Sequence, residues 1–185
     1  MENLPETVNT QSVALAIYNP TPGTKAIDIR RQMLQLPEVA KSLSGVEKYI
    51  FAASTKMQIA DIDDGTLIAK TGQMFRFIAM DVGYIIPTNP EDWAYICTRL
   101  LDILKKYYSQ MTLADIKLAF ELATTGELDD YLPKDSQGNP DKKHYQQFNA
   151  DYFAKILNAY RRKQNGVIHK AVSYTHLTLP TILRV

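Results

Sequence analysis

The stretch Asn89–Tyr108 reads NPEDWAYICTRLLDILKKYY and carries the start signals and the apolar face of an α-helix. Asn89 can accept a hydrogen bond from a first-turn N–H, and Pro90 suits the first helical position because its missing N–H costs nothing there. Glu91 and Asp92 place negative charge at the positive end of the helix dipole. Apolar steps of three and four predict one buried face, formed by Trp93, Ile96, Cys97, Leu100, Leu101 and Leu104.

A second helix is predicted directly after this one. Thr112 with Asp115 three residues later resembles a capping box, and Gly126 suits the left-handed position that follows a helix. The apolar stripe of this helix is Leu113, Ile116, Phe120 and Ala123. Because only Ser109–Met111 separate the two helices, we expect them to pack against each other as a helical hairpin.

A polar loop and a third helix complete this part of the chain. Lys134–Asp141 is rich in turn-forming residues and predicts a surface loop. Asn149 is expected to cap a helix that ends before Asn165 and Gly166. Its predicted buried side is Phe153, Ile156, Leu157 and Tyr160.

The N-terminal half continues the helical pattern. Residues 1–23 contain several Pro, Asn and Thr residues and predict an extended arm. The expected helices run from a Thr24 cap to about Leu36, over Glu38–Leu43, from about Val46 to near Lys56, and over Thr71–Tyr84. A string of helices with short breaks favours an all-α fold, with a single helical domain over residues 24–171.

The C-terminal segment Val172–Thr181 reads VSYTHLTLPT, which resembles the translation of a transposase sequencing adapter residue for residue. The alternative is a natural, β-prone tail. We interpret residues 172–185 as adapter-derived and exclude them from fold reasoning. The natural C-terminal sequence beyond about Ala171 is then expected to be missing.

The composition is ordinary for a globular protein. The 185 residues are 45% hydrophobic and 22% charged, with 21 basic and 20 acidic side chains. Without Arg184 in the excluded tail, the two signs balance. The single cysteine excludes an intramolecular disulfide. The sequence shows neither a signal peptide nor an apolar run long enough to cross a membrane, so we expect a cytoplasmic protein.

Several motifs that would indicate chemistry are incomplete. Asp61–Gly65 lacks the glycine and glutamate spacing of a calcium loop and is interpreted as a solvated acidic turn. Gly23-Thr24-Lys25 lacks the first glycine of a phosphate-binding loop. Cys97 is expected to be a small core residue, and no metal site or cofactor is expected. These features favour a non-enzymatic protein; a Ser-His-Asp triad assembled in space is the enzyme alternative.

One region is strongly basic. From Lys142 to Lys170 the only acidic residue is Asp151, and tyrosines are interleaved at positions 145, 152 and 160. Clustered cations can neutralise phosphates, and aromatic rings can stack on bases. The candidate nucleic-acid-binding residues are Lys142, Lys143, Lys155, Arg161, Arg162 and Lys163, with Lys170 beyond them. The alternative is a solvated helix face whose tyrosines belong to the core.

Some segments carry a resemblance to a known group of proteins. They are Gly83–Pro87, Leu113–Ala123 with Thr125–Leu128, His144–Phe148, Tyr152-Phe153 and Ile156–Tyr160. Together they resemble uncharacterised helical proteins of crAss-like and other phages that infect gut Bacteroidetes. The resemblance implies a replication role, as a helicase loader or replisome organiser in the cytoplasm of the bacterial host. It assigns no catalytic residue, and the incomplete phosphate-binding loop disfavours an ATPase-type loader.

Two functional hypotheses follow from the sequence. The first is a non-enzymatic phage DNA-replication accessory protein whose partners are DNA or the replicative helicase. The alternative is a helical adaptor or host-takeover protein that binds protein without binding nucleic acid. The basic region from Lys142 to Lys163 separates the two, because only the first requires its cations to face phosphates.

Overall fold

The computed structural model describes residues 23–142 and 148–182, with side chains as far as Tyr174. Within these ranges the chain forms helices and no strand, so the all-α prediction is confirmed. The helices are α1 (Ala26–Met33), α2 (Pro37–Ser42), α3 (Gly45–Ala53), α4 (Asp64–Asp81), α5 (Pro90–Tyr107), α6 (Leu113–Thr124) and α7 (Ala150–Ile182). A 3₁₀ turn, Ile59–Asp61, precedes α4. Apart from Gly23, the predicted N-terminal arm lies outside the described residues.

The chain divides into two compact units. The first consists of Met1–Thr55 with Gly166–Val185, and the second is Lys56–Asn165. The division falls inside residues 24–171, the range over which the sequence predicts a single domain. Among the helices that the structure describes, none has both the length and the apolar character needed to cross a bilayer.

In the first unit, α3 begins with a capping box that was not predicted. Ser44 Oγ accepts a hydrogen bond from Glu47 N at 3.3 Å, and Glu47 Oε2 accepts one from Ser44 N at 2.6 Å. Lys170 Nζ donates to the same Glu47 oxygen at 2.8 Å. Burial tends to raise the pKa of the Glu47 carboxyl, but the hydrogen bonds from Lys170 and Ser44 lower it overall. This carboxylate therefore fixes both the start of α3 and the side chain of Lys170.

The predicted bounds of α1 are wrong at both ends. Lys25, not Thr24, occupies the N-cap position, and its side chain makes no capping hydrogen bond. The α-helix ends at Met33 rather than near Leu36, because Leu36 N turns back to Met33 O at 3.0 Å and closes a tighter turn. The Thr24 prediction depended on residue type alone, since threonine is a common N-cap residue.

In the second unit, α4 packs against both α5 and α6. It begins at Asp64, not near Thr71 as predicted, because Asp63 Oδ1 accepts a hydrogen bond from Thr66 N at 2.9 Å and caps the helix. The acidic run Asp61–Gly65 therefore contains the start of α4. Instead of the predicted hairpin of α5 and α6, each of these two helices packs against α4.

The predicted helix caps of this unit are confirmed. Asn89 and Asn149 cap α5 and α7 through their side-chain oxygens. Thr112 and Asp115 form the reciprocal capping box at the start of α6. Gly126 follows α6 with φ of 86°, the left-handed conformation that glycine adopts without a Cβ clash.

An aromatic cluster forms the centre of the second unit. Phe153 of α7 lies 5.0 Å from the Phe120 ring of α6, 5.6 Å from Phe75 of α4 and 5.8 Å from Phe148, measured between ring centroids. All four rings are buried. The predicted buried side of α7 is thus confirmed, with Phe153, Ile156, Leu157 and Tyr160 at most 1% exposed.

The predicted end of α7 before Asn165 and Gly166 is wrong, because the helix continues to Ile182. A glycine inside a helix costs only about 1 kcal/mol relative to alanine. Val167 and Ala171 are buried on the continuing helix, and their burial offsets that cost. The helix also includes Val172–Thr181, the segment that resembles an adapter.

Gly166→Ala is expected to stabilise the protein by about 0.5–1 kcal/mol. Gly166 lies within α7, and a Cβ added there meets open space. Urea denaturation of the variant and the parent protein measures the difference. Gly126→Ala is the opposing control, because its φ of 86° makes a side chain strained there. Destabilisation by Gly166→Ala would show that the helix ends at this residue.

Candidate nucleic-acid interface

Three of the predicted nucleic-acid-binding lysines form ion pairs within the second unit. Their carboxylate partners lie in the α6–α7 connection, before the basic region that begins at Lys142. The pairs are Lys142–Asp129 at 2.7 Å, Lys155–Asp141 at 2.8 Å and Lys163–Glu127 at 2.8 Å. The side chains of Lys155 and Lys163 are each only 14% exposed. Lys143 lies outside the described residues.

These pairs show why the local charge count was misleading. The window from Lys142 to Lys170 excludes the carboxylates that folding brings to it. Lys163 Nζ also donates to the main-chain oxygen of Glu127 at 2.7 Å, so it holds the α6–α7 connection onto α7. Outside the six candidates, Lys170 pairs with Glu47 in the first unit. Each of the four lysines that the structure describes in this window is therefore paired with a carboxylate.

The two predicted arginines are exposed, and neither has a carboxylate partner among the described residues. Arg161 donates to the main-chain oxygen of Tyr107 at 3.4 Å, and its guanidinium carbon lies 5.6 Å from the centre of the Tyr108 ring. Arg162 donates to the main-chain oxygen of Tyr131. Hydrogen bonds to neutral oxygens orient these guanidinium groups without cancelling their charge.

The two interleaved tyrosines that the structure describes do not form a stacking surface. Tyr152 and Tyr160 are 6% and 0% exposed, as the core alternative predicted. Burial raises the pKa of both hydroxyls, and the Asp115 carboxylate raises that of Tyr160 further. Tyr160 donates to Asp115 Oδ1 at 2.8 Å, so its hydroxyl belongs to the core. Tyr145 lies outside the described residues.

A groove runs between α5 and the first turns of α7. Two adjoining cavities of about 460 and about 380 Å³ form it, and Arg99 and Ala150 line both of them. Tyr95 lines the first cavity, while Tyr107 and Arg161 line the second. Arg161 is thus the one predicted candidate among the described lining residues.

The spacing of residues along both helices explains the groove. Tyr95, Arg99, Ile103 and Tyr107 follow one another at steps of four along α5, so each lies about 6 Å farther along the axis. On α7, Ala150 and Ala154 are the lining residues of the first turns, and their short side chains leave the space open. The sequence already shows this spacing. None of the four positions belongs to the predicted apolar face of α5, so they form a second, separate face of that helix.

The groove is positively charged and partly aromatic. None of its described lining residues is acidic, and Arg99 makes no hydrogen bond or ion pair with the described part of the chain. Tyr95 and Tyr107 are 72% and 60% exposed. Tyr108 also lines the second cavity but is buried, and its hydroxyl donates a hydrogen bond to Asn158 Oδ1 at 3.2 Å. Guanidinium groups and exposed rings thus share one concave surface.

The described residues give little support for a metal site or a cysteine nucleophile. No group of three or more His, Cys, Asp or Glu side chains within them could hold a metal ion. Cys97, expected to be a small core residue, is half-buried, and burial raises the pKa of its thiol. A thiol with a raised pKa has little thiolate at neutral pH and is a poor nucleophile.

Comparison of the chain with protein-family models, curated proteins and solved structures found no significant match. The resemblance to phage replication proteins and the adapter-like character of Val172–Thr181 therefore stay predictions from the sequence.

Proposed function

We propose that this chain is a non-enzymatic phage DNA-replication accessory protein, of helicase-loader or replisome-organiser type, that contacts DNA or the replicative helicase. The main support is the set of exposed arginines Arg99, Arg161 and Arg162, none of which has a carboxylate partner in the described structure. Guanidinium groups are planar, permanently charged and able to bind phosphate through two parallel hydrogen bonds. The DNA contact is accordingly assigned to the arginines and not to the paired lysines.

A protein-binding adaptor that does not bind nucleic acid is the second candidate. Phe77 and Met80 lie three residues apart on α4 and are 56% and 62% exposed. Exposed apolar side chains that lie near one another often contact a partner protein. The same side chains would also serve a protein that contacts the replicative helicase.

A salt series of DNA binding separates these two functions. Fluorescence anisotropy with labelled single- and double-stranded oligonucleotides is expected to show saturable binding that weakens as salt rises. Arg161→Ala with Arg162→Ala should weaken binding because two phosphate contacts are lost. The slope of log K against log salt should fall by about 1.4 for single strands and about 1.8 for duplexes. Lys163 is left unchanged, since its loss would also disturb the Glu127 ion pair.

Arg76→Ala is the matched control, because Arg76 is an exposed arginine of α4 outside both cavities of the groove. It removes one positive charge and is expected to leave the salt slope nearly unchanged. Absence of saturable binding to either form of DNA by the parent protein would contradict DNA contact. The adaptor function would then be favoured.

A further inference from the structure

We propose that the groove between α5 and α7 binds single-stranded nucleic acid. Arg99 and Arg161 hold phosphates, and the rings of Tyr95 and Tyr107 stack on bases. This inference rests on the proposed function, for which it names the site and the form of the ligand. The groove replaces most of the interface predicted from the sequence, because Arg161 is the only residue that the groove and the predicted interface share.

The charge of the groove favours a polyanion. Arg99 and Arg161 line the same cavity, and the described lining residues include no carboxylate to neutralise them. Arg161 is already oriented by the Tyr107 oxygen and the Tyr108 ring, so little side-chain freedom is lost when it binds a phosphate. Arg99 has no hydrogen-bond partner in the described structure and is available to the ligand.

The aromatic residues favour a ligand with repeated planar groups. Tyr95 and Tyr107 lie on either side of Arg99 on α5, about 18 Å apart along the helix axis at 1.5 Å per residue. Both rings are mostly exposed and accessible to a ligand. Lys106 Nζ lies 5.2 Å from the centre of the Tyr107 ring, so a base stacked there also lies near a cation. A cation between two stacking platforms suits a nucleic-acid strand, in which phosphates and bases repeat along the chain.

The stacking requirement favours a single strand over a duplex. Bases in a duplex are already stacked and paired, whereas unpaired bases can turn their faces towards aromatic side chains. An acidic peptide could also neutralise the two arginines, but it would offer no series of planar faces to Tyr95 and Tyr107. Single-stranded nucleic acid therefore satisfies both features of the groove.

The test is the binding of labelled oligothymidylate and oligouridylate by full-length protein, measured by fluorescence anisotropy at several salt concentrations. Arg99→Ala with Arg161→Ala is expected to weaken binding at least about tenfold and to lower the salt slope by about 1.4, at 0.7 per lost phosphate contact. Tyr107→Ala should weaken binding by about fivefold to a hundredfold with little change in slope, because stacking carries no charge. All three side chains are exposed, and thermal unfolding confirms that the variants fold.

The control variants distinguish failure of the groove assignment from failure of the proposed function. If the groove variants bind like the parent protein while Arg162→Ala loses binding, the groove assignment is overturned and DNA contact stands. If the parent protein binds no nucleic acid, both are overturned. Duplex binding as tight as single-strand binding, or equally effective competition by polyglutamate, would also overturn the inference. Tighter binding of one oligonucleotide identifies DNA or RNA as the ligand and supports it.

Discussion

Asp115→Ala is expected to lower the free energy of unfolding by about 3–5 kcal/mol, the range for removing one member of a buried charged network. The carboxylate is 1% exposed and accepts hydrogen bonds from at least three groups. The donors are Tyr160 Oη at 2.8 Å, Gln164 Nε2 at 2.7 Å and Thr112 N at 2.9 Å. Each buried donor left without an acceptor costs about 1–3 kcal/mol, which is why the loss exceeds that of one hydrogen bond.

This network also explains why Asp115 occupies a position where a capping box usually has Glu or Gln. One carboxylate oxygen accepts from Thr112 N and fixes the start of α6, while the other accepts from Tyr160 and Gln164 of α7. Burial and the carboxylate raise the pKa of the Tyr160 hydroxyl far above its usual range, so it stays a donor. The N-terminus of α6 is thereby held to α7.

Urea denaturation of Asp115→Ala and the parent protein measures the effect. Asp130→Ala is the matched control, because Asp130 is an exposed carboxylate and its removal should change stability by no more than about 0.5 kcal/mol. A change below about 1 kcal/mol for Asp115→Ala would show that the carboxylate is not buried among these donors.

Phe153→Ala is the second large expected effect, a loss of about 3–5 kcal/mol. Phe153 is 0% exposed and lies at the centre of the aromatic cluster, within 5.0–5.8 Å of Phe75, Phe120 and Phe148. Truncation removes the transfer free energy of the ring and leaves a cavity that three rigid neighbouring rings cannot fill. Phe75 belongs to α4, Phe120 to α6, and Phe148 directly precedes the α7 cap. Loss of the Phe153 ring therefore weakens the contacts of α7 with several parts of the second unit at once.

Phe77→Ala is the matched control for this variant, since Phe77 is a phenylalanine of α4 that is 56% exposed. Its truncation is expected to change stability by no more than about 0.5 kcal/mol. Thermal or urea unfolding of both variants, followed by circular dichroism, compares the two. Equal losses for the two variants would contradict the placement of Phe153 in the core.

The helices of the second unit were largely predictable because their signals are local. Asn89, the pair Thr112 and Asp115, and Asn149 each mark a helix start within a few residues of sequence, and each makes its predicted bond. Burial of Phe153 and Tyr160 followed from helical periodicity. The predicted helix end at Gly166 was wrong, because the burial of Val167 and Ala171 outweighs the local tendency of glycine to end a helix.

The candidate site was less predictable because it depends on contacts distant in sequence. Lys163 and Glu127 are 36 residues apart, so no local charge count reveals that they pair. Arg99 was overlooked because α5 was interpreted through its apolar face alone. Its position opposite Arg161 depends on the packing of α5 beside α7, which a single sequence does not specify.

Photo-crosslinking of a single-stranded oligonucleotide to the full-length parent protein tests the central claim most directly. An oligonucleotide with halogenated pyrimidines is irradiated in the complex, and the attached peptides are identified by mass spectrometry. The groove predicts attachment at Tyr95 and Tyr107, the exposed rings beside Arg99. Attachment confined to peptides that contain neither tyrosine would contradict the assignment of the groove as the nucleic-acid site.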